Sequence, residues 1–286
     1  MGLRKIIVPP GIGDNIWLFQ KLINSNEKFD FIIPGSNPRR GKQIFDLLPQ
    51  LVNSAEYSDE IKQGYKTVAK NNIQNTFPDF NRIHKQEFYL TANKHLEQGK
   101  RIENFFPDLK TSFKFDWDTT KCSEQVEKDF PSDKEYIGIY GSCYSSARSW
   151  GFWNEYKWME LIDKINKHNP DYKFVIIGAS FDTDLADQLI KLVERFGIHY
   201  SRVIGQSLGY VIEAMKRLKY FFSFPSGLGI LAPTVSCPIA MFYPPSLSNL
   251  INTWADPNDI KTGLYKGCLF CEPEQILNWC IKNKKI

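Results

Sequence analysis

The sequence predicts an α/β protein made of two Rossmann-like domains that face each other across a cleft. The first observation is the length of 286 residues, because a chain of this size usually forms two domains of about 130–150 residues each. The second is that short apolar runs alternate with amphipathic stretches in both halves, a pattern typical of parallel α/β sheets. The third is a polar segment, 116–133, which is predicted to link domain 1–125 to domain 126–286.

The first half begins with a strand, a glycine-containing turn and a helix. The apolar residues that follow this turn recur at helical spacing. The elements predicted here are strands at Lys5–Val8 and Phe29–Ile33 and helices at Asn15–Asn24 and Arg40–Leu48. Residues 55–115 are rich in Lys, Asn and Gln, with aromatic residues interleaved. We interpret them either as helices with solvated faces over an aromatic core or as an acceptor-binding surface.

The second half alternates strands and helices more clearly. The predicted strands are Tyr136–Tyr140, Tyr172–Ile177, Val203–Ile204, Tyr220–Ser223 and Ile239–Tyr243, and the predicted helices are Asn154–Asn166, Thr183–Phe196, Leu208–Leu218 and Gly227–Val235. This order is typical of a doubly wound nucleotide-binding domain, in which ligands lie outside the carboxyl ends of the strands. The loops expected to meet there are 11–15, 141–151, 178–182, 205–207 and 225–229. The last helix of the chain is predicted to pack back on the N-terminal domain.

Composition narrows the class of protein. The formal net charge is +4, which favours binding to an anionic substrate, an anionic membrane surface or nucleic acid. The sequence lacks the dense basic stripe of a dedicated nucleic-acid binder. No apolar run approaches the roughly 20 residues of a transmembrane helix, and the first apolar run is too short for a signal peptide. The six cysteines are scattered along the chain. We therefore expect a cytoplasmic protein with no transmembrane segment.

Five motifs occur in an order and spacing that resemble glycosyltransferase family 9, the heptosyltransferase family. They are the GxGD-type opening Gly11–Ile16, the loop Ser145–Trp153 followed by Trp158, the segment Ile204–Leu208, the loop Phe224–Ala232, and the segment Pro238–Pro244. The sequence departs from the family pattern at three positions, where Gly151, Pro225 and Ile230 replace a Lys, an Asp and a His. These departures leave the identity of the donor sugar open.

The resemblance implies a GT-B fold and a metal-independent enzyme that inverts the anomeric centre. The donor would be a nucleotide-diphosphate sugar bound in the C-terminal half, with no cofactor and no metal ligands. By position in the family pattern, Ser180, Gly205 and Gln206 would lie near the ribose and base of the donor.

Asp14 is the candidate catalytic base. Transfer to a hydroxyl acceptor requires a group that removes the acceptor proton, and Gly11 and Gly13 allow a tight turn that brings the carboxylate and Asn15 close to substrate. A helix N-terminus lowers the pKa of a carboxylate and makes it a poorer base, whereas burial raises the pKa. The alternative interpretation is that Asp14 only caps the helix.

The leaving diphosphate requires stabilisation of its negative charge. Ser226, Gly227 and Leu228 open a predicted helix after a strand, where backbone N–H groups and the helix dipole attract anions. Arg148 is the candidate cation, because a guanidinium binds phosphate oxygens with two donors, and Ser145 and Ser146 are candidate hydroxyl donors. The alternative interpretation of Ser226, Gly227 and Leu228 is an ordinary strand–helix turn. The alternative for Arg148 is a solvated surface arginine.

Asp182-Thr183-Asp184 spells the DxD motif that binds metal and diphosphate in the other large glycosyltransferase fold. Acidic residues are also favoured at any helix N-terminus, and we prefer that interpretation here.

Three functions remain compatible with the sequence. The first is a family 9-like transferase that acts on a surface glycan or lipopolysaccharide-type acceptor. The second keeps the chemistry but transfers sugar to hydroxymethylated bases in DNA, as virus-type DNA glycosyltransferases do, with the basic and aromatic residues between 77 and 106 on the phosphate backbone. The third is a GT-B-like binding protein without turnover, suggested by Pro225 and Ile230.

Overall fold

A computed structural model describes residues 4–7, 12–24, 29–32, 43–51, 54–56, 101–104, 110–141, 153–242, 254–261, 265–267 and 271–286. The chain divides into two compact units, Met1–Asp118 and Thr119–Ile286. The sequence placed the boundary between the domains after residue 125. Each unit contains its own parallel sheet.

The first unit contains a three-stranded parallel sheet in the order β1 (Arg4–Ile7), β2 (Phe29–Ile32) and β3 (Ser54–Glu56). Helix α1 (Ile12–Leu22) follows β1 and buries Ile16, Leu18, Phe19 and Leu22, the residues of its apolar spacing. Phe45, on the short helix α2 (43–46), packs edge-on against Phe19 at 5.3 Å between ring centroids. The predicted strands and the first predicted helix are therefore present, and β3 was not predicted.

The second unit contains a six-stranded sheet that is parallel throughout its described pairs, with the order β6-β5-β4-β7-β8-β9. The strands are β4 (Tyr136–Tyr140), β5 (Lys173–Gly178), β6 (Tyr200–Ile204), β7 (Leu218–Ser223), β8 (Ile239–Met241) and β9 (Tyr265–Gly267). All five residues of β4 are buried, as expected for a strand covered on both faces. A Cβ at Gly138 would lie 2.5 Å from the Leu218 side chain, so a larger residue there would require that side chain to shift.

Helices cover both faces of this sheet. They are α3 (Thr120–Asp129), α4 (Glu155–His168), α5 (Thr183–Arg195), α6 (Leu208–Met215), α7 (Gly227–Leu231), α8 (Pro257–Lys261) and α9 (Pro273–Lys282). Helix α4 packs against α5 and α9, whereas α6 packs against α3. Among the described contacts, the last helix, α9, thus packs against α4 of its own unit. The ion pairs Lys157–Glu272 and Lys164–Glu274 accompany this contact.

The polar segment predicted as a linker contains helix α3, so that prediction is wrong for residues 120–129. The helix docks through few apolar residues: Val126 and Phe130 are almost fully buried, and Phe130 contacts the ring of Tyr136 at 5.2 Å between ring centroids. Because the other residues of the segment are mostly polar, its average hydrophobicity resembles that of a linker. Two residues at helical spacing are nevertheless enough to anchor it.

A buried polar network joins the start of α3 to α6. Thr119 donates to the Glu213 carboxylate, and the Lys216 ammonium lies 2.7 Å from both Thr119 Oγ1 and Glu213 Oε2. Burial by itself raises the pKa of Glu213, but the hydrogen bonds from Lys216 and Thr119 outweigh it and lower the pKa overall. The network therefore stabilises the charged form of Glu213 in the folded state.

Glu213→Gln is expected to destabilise the chain by about 1–2 kcal/mol at pH 7, because a charge-assisted buried hydrogen bond is lost. Since the folded-state pKa is lowered, this contribution is present above the unfolded value of about 4.3 and disappears as the pH falls through the folded value. Urea unfolding of both proteins between pH 7 and pH 3 measures the difference. Glu124→Gln, in an exposed ion pair with Lys128, is the control and should cost less than about 0.5 kcal/mol. A penalty that stays constant with pH would contradict the assignment.

Candidate functional site

The strand order of the second unit reverses between β4 and β7. From β4 the chain adds β5 and β6 on one side and then returns to add β7, β8 and β9 on the other side. In doubly wound sheets, ligands bind outside the carboxyl ends of the two strands at such a switch point. Tyr140 and Ser223, which end β4 and β7, are paired in register. The candidate site therefore lies beyond these two residues.

Beyond β7, Ser226 begins the turn into α7. Its hydroxyl oxygen accepts a hydrogen bond from Gly229 N at 3.3 Å, so Ser226 is the N-cap and its hydroxyl proton is not used in that contact. A Cβ at Gly229 would lie 2.6 Å from the Phe224 carbonyl oxygen, which requires glycine at this close approach. Gly227 and Leu228 are the first two residues of the helix, so their N–H groups have no acceptor within it. The side chain of Leu228 is buried, which leaves its N–H as the group that can bind a ligand.

The helix after this turn is shorter than the sequence predicts. The prediction of one helix over Gly227–Val235 is wrong in its second half, because α7 ends at Leu231 and residues Ala232–Val235 form a 3-10 turn that contains Pro233. A five-residue helix has a small macrodipole. Any anion affinity of this turn therefore depends on its N–H and hydroxyl donors more than on the dipole.

Beyond β5 and β6, the structure brings Ser180 and Gly205 together. Gly205 has φ of +70°, which favours glycine, and its N–H donates to the Gly178 carbonyl at 3.0 Å. A Cβ at Gly205 would lie 3.4 Å from Cβ of Ser180. Gln206 follows directly and is exposed. These three predicted site residues therefore lie close together at the carboxyl edge of the sheet.

Asp182 of the DxD sequence has a structural role at the carboxyl edge of the sheet, where its side chain accepts two hydrogen bonds. Its carboxylate accepts hydrogen bonds from the Tyr140 hydroxyl at 2.6 Å and from Ala179 N at 2.9 Å, and only 1% of the residue is exposed. Asp184 is exposed on the first turn of α5. Asp182 thus ties the end of β4 to the loop after β5. No pattern in the sequence indicates this role, because Tyr140 lies far from Asp182 along the chain.

An aromatic cluster lies beneath the switch point. Trp158 on α4 is 1% exposed, and its ring centroid lies 5.0 Å from that of Trp153, 4.5 Å from that of Phe242 and 5.5 Å from that of Phe224. A Cβ at Gly141, the residue after β4, would lie 2.9 Å from the Trp158 indole. The same aromatic cluster therefore packs against Gly141, which follows β4, and includes Phe224, which follows β7.

In the first unit, the candidate residues lie on the first turn of α1. This helix begins at Ile12, before the predicted start, so Asp14 is its third residue. The alternative interpretation, in which Asp14 is the N-cap residue of this helix, is therefore wrong. Gly13 and Asn15 are buried, with 1% of Asn15 exposed. The side chain of Asp14 lies outside the described part of the chain, as do Gly11, Ser145, Ser146 and Arg148 and most of the basic and aromatic region between 55 and 115.

The described part of the chain contains neither a metal-binding cluster nor a helix that could span a membrane. No group of three or more His, Cys, Asp or Glu side chains in that part of the chain is arranged to hold a metal ion. None of the helices described there is long and apolar enough to cross a membrane.

The sequence matches no protein-family profile and no curated protein. The structure, however, is similar to that of the E. coli ADP-heptose LPS heptosyltransferase II, with 13% identity, coverage of 99% of this chain and 98% of the other, and a TM-score of 0.66. It is also similar to a glycosyltransferase family 9 protein from Veillonella parvula, with 16% identity, 99% and 98% coverage, and a TM-score of 0.63.

A UDP-GlcNAc 2-epimerase from Neisseria meningitidis, bound to UDP-GlcNAc, matches with 14% identity, 98% and 91% coverage, and a TM-score of 0.56. These similarities confirm the GT-B-type α/β fold that the motifs predict. The resemblance to family 9 is confirmed at the level of the fold.

Proposed function

We propose that this chain is a glycosyltransferase that moves a sugar from a nucleotide-diphosphate donor to a hydroxyl acceptor. The observation that carries the proposal is the structural similarity over nearly the whole chain to the E. coli ADP-heptose LPS heptosyltransferase II. The strand reversal at β4 and β7 supports it, because ligands of doubly wound sheets bind beyond the strands at such a reversal, and the Ser226 turn follows β7.

The donor diphosphate would bind at the Ser226 turn. The hydroxyl of Ser226 and the N–H groups of Gly227 and Leu228 are the donors that this turn offers. Arg148, Ser145 and Ser146 come after β4 in the sequence, and β4 is the neighbour of β7 at the switch point, so these residues would complete the site. With Arg148 as the cation, the leaving diphosphate would need neither a metal ion nor a cofactor.

Asp14 would remove the proton of the acceptor hydroxyl as that oxygen attacks the anomeric carbon. A single displacement of this kind inverts the anomeric configuration, and the nucleoside diphosphate leaves with the bonding electrons. A surface glycan or lipopolysaccharide-type acceptor fits this proposal best. The net charge of +4 is compatible with peripheral contact with an anionic membrane, and the scattered cysteines favour the cytoplasm as the site of action.

Thermal unfolding with a panel of nucleoside diphosphates and nucleotide sugars tests the donor site. We expect one nucleotide family to stabilise the protein equally with and without Mg²⁺, by about 2.7 kcal/mol at 100 times its Kd. Arg148→Ala is expected to remove this stabilisation. Arg195→Ala, at the exposed C-terminal end of α5, makes the same charge change and should retain it. If no nucleotide shifts the unfolding temperature, the proposed donor site is wrong.

Measurements of DNA binding and of turnover separate the other functions. If the acceptor is hydroxymethylated DNA, binding of DNA should weaken steeply with salt, whereas binding of a neutral glycan should not. A GT-B-like binding protein would bind nucleotide without releasing nucleoside diphosphate from the sugar. An epimerase activity, suggested by the third structural match, would instead convert the donor into an isomeric nucleotide sugar.

A further inference from the structure

The carboxylate of Asp182 stands at a helix N-terminus but does not cap that helix. Asp182 directly precedes α5, a position at which an aspartate ordinarily accepts hydrogen bonds from the first N–H groups of the helix. Its side chain makes no such capping bond. One carboxylate oxygen, Oδ2, instead accepts hydrogen bonds from the Tyr140 hydroxyl at 2.6 Å and from Ala179 N at 2.9 Å. The carboxylate is therefore used to hold the end of β4.

A buried charge at this position needs a reason beyond local structure. Asp182 is 1% exposed and Tyr140 is 3% exposed, so their hydrogen bond is closed to water. Burial of a carboxylate is unfavourable unless donors compensate it, and a neutral serine or threonine would cap the helix without that cost. A hydroxyl–carboxylate bond of this length is charge-assisted and strong. It fixes the distance between two segments that lie 42 residues apart in the chain.

The segments held together in this way lead to the candidate site. Tyr140, the last residue of β4, is paired in register with Ser223, the last residue of β7, and Ser226 follows three residues later. Ala179 belongs to the loop after β5. Asp182 thus connects that loop, through β4, to the strand that carries the Ser226 turn. A ligand that contacts both the loop and the turn must match the distance between them, and a distance fixed in advance lowers the entropic cost of binding.

We propose that Asp182 is a positioning residue of the donor site and acts through the hydroxyl of Tyr140. This assignment rests on the proposed function, because the ligand that spans the switch point is the nucleotide donor. In this role the first aspartate of the DxD sequence binds protein donors and sets the spacing of the site.

The test measures binding of ADP, UDP, GDP and inorganic pyrophosphate by calorimetry. Tyr140→Phe removes one hydroxyl and is expected to weaken the preferred nucleoside diphosphate by about 10-fold, because the two segments lose their fixed spacing. Pyrophosphate is too short to contact both segments, so its affinity should stay nearly unchanged. Asp182→Asn keeps an acceptor oxygen and should retain more affinity than Asp182→Ala.

Tyr200→Phe is the matched control. It removes the same atom from another hydroxyl–carboxylate pair of this unit, since the Tyr200 hydroxyl donates to Glu194 Oε1 at 2.7 Å. Tyr200 is the first residue of β6, at the edge of the sheet opposite to the candidate site. Its nucleotide affinity should equal that of the unaltered protein. Urea unfolding of each variant measures the effect on stability separately from the effect on binding.

The outcomes separate this proposal from the function on which it rests. If the unaltered protein binds a nucleoside diphosphate and Tyr140→Phe binds it equally well, the positioning role is overturned and the donor site stands, even where stability has fallen. An equal loss of affinity in Tyr140→Phe and Tyr200→Phe also overturns it, since the effect would not be specific to the site. If the unaltered protein binds none of the four probes, the donor site itself fails and this proposal fails with it.

Discussion

Asp14→Asn is expected to lower kcat by about two to four orders of magnitude, because it removes the group that accepts the acceptor proton. Asparagine keeps the size of aspartate and can still accept hydrogen bonds on the first turn of α1, so the helix should be retained. Release of nucleoside diphosphate from the donor found in the nucleotide panel measures turnover. The affinity for the nucleotide should change little, since the proposed donor site lies in the second unit.

The position of Asp14 within the helix allows the test to distinguish a catalytic role from a structural one. As the third residue of α1, it lies where the helix dipole favours a carboxylate, so a purely structural role would show as a loss of stability. We expect the opposite pattern, in which kcat falls steeply and the free energy of unfolding falls by less than about 1 kcal/mol. Turnover that survives the substitution, together with reduced stability, would assign Asp14 a role in the helix and leave the base unidentified.

Trp158→Ala is expected to lower the free energy of unfolding by about 3–5 kcal/mol, the range for large aromatic side chains removed from a core. Trp158 is 1% exposed and contacts the rings of Trp153, Phe224 and Phe242. The cavity would open beneath Gly141 and the start of the Ser226 turn, so the affinity for nucleotide should fall as well. Urea unfolding followed by tryptophan-independent circular dichroism measures the stability, and calorimetry measures the affinity.

Two other variants control for the loss of Trp158. Tyr156→Ala alters the same helix at a position that is 65% exposed, and we expect a change within about 0.5 kcal/mol. Trp158→Phe keeps an aromatic ring and removes a buried indole N–H that has no hydrogen-bond partner among the described residues, so it should cost less than the alanine variant. Similar stabilities for Trp158→Ala and Tyr156→Ala would contradict the packing described for this cluster.

The sequence predicted the central strands of the second unit well. Strands β4, β5 and β7 lie in the middle of the sheet, and burial on both faces requires the continuous apolar runs that identify them. The edge strands were harder to predict. Strand β6 begins at Tyr200 and includes the polar residues Ser201 and Arg202, so its composition does not mark its first half as a strand. Strand β9 has only three residues, and neither its length nor its composition identifies it.

The sequence also identified the segments 178–182, 205–207 and 225–229 that follow β5, β6 and β7, but it did not show how they are held. The motif Gly205-Gln206 was identified, yet its closeness to Ser180 depends on the hydrogen bond from Gly205 N to the Gly178 carbonyl.

By itself, the sequence determined the α/β class, the resemblance to family 9 and the positions of the turns after β6 and β7. These properties depend on side-chain spacing and backbone preferences within short segments, which a sequence displays directly. The tertiary structure decided the strand order that creates the switch point, the use of Asp182 to hold Tyr140 and Ala179, and the helix within the predicted linker. These features arise from contacts between residues far apart in the chain, where pairing and burial outweigh local preference.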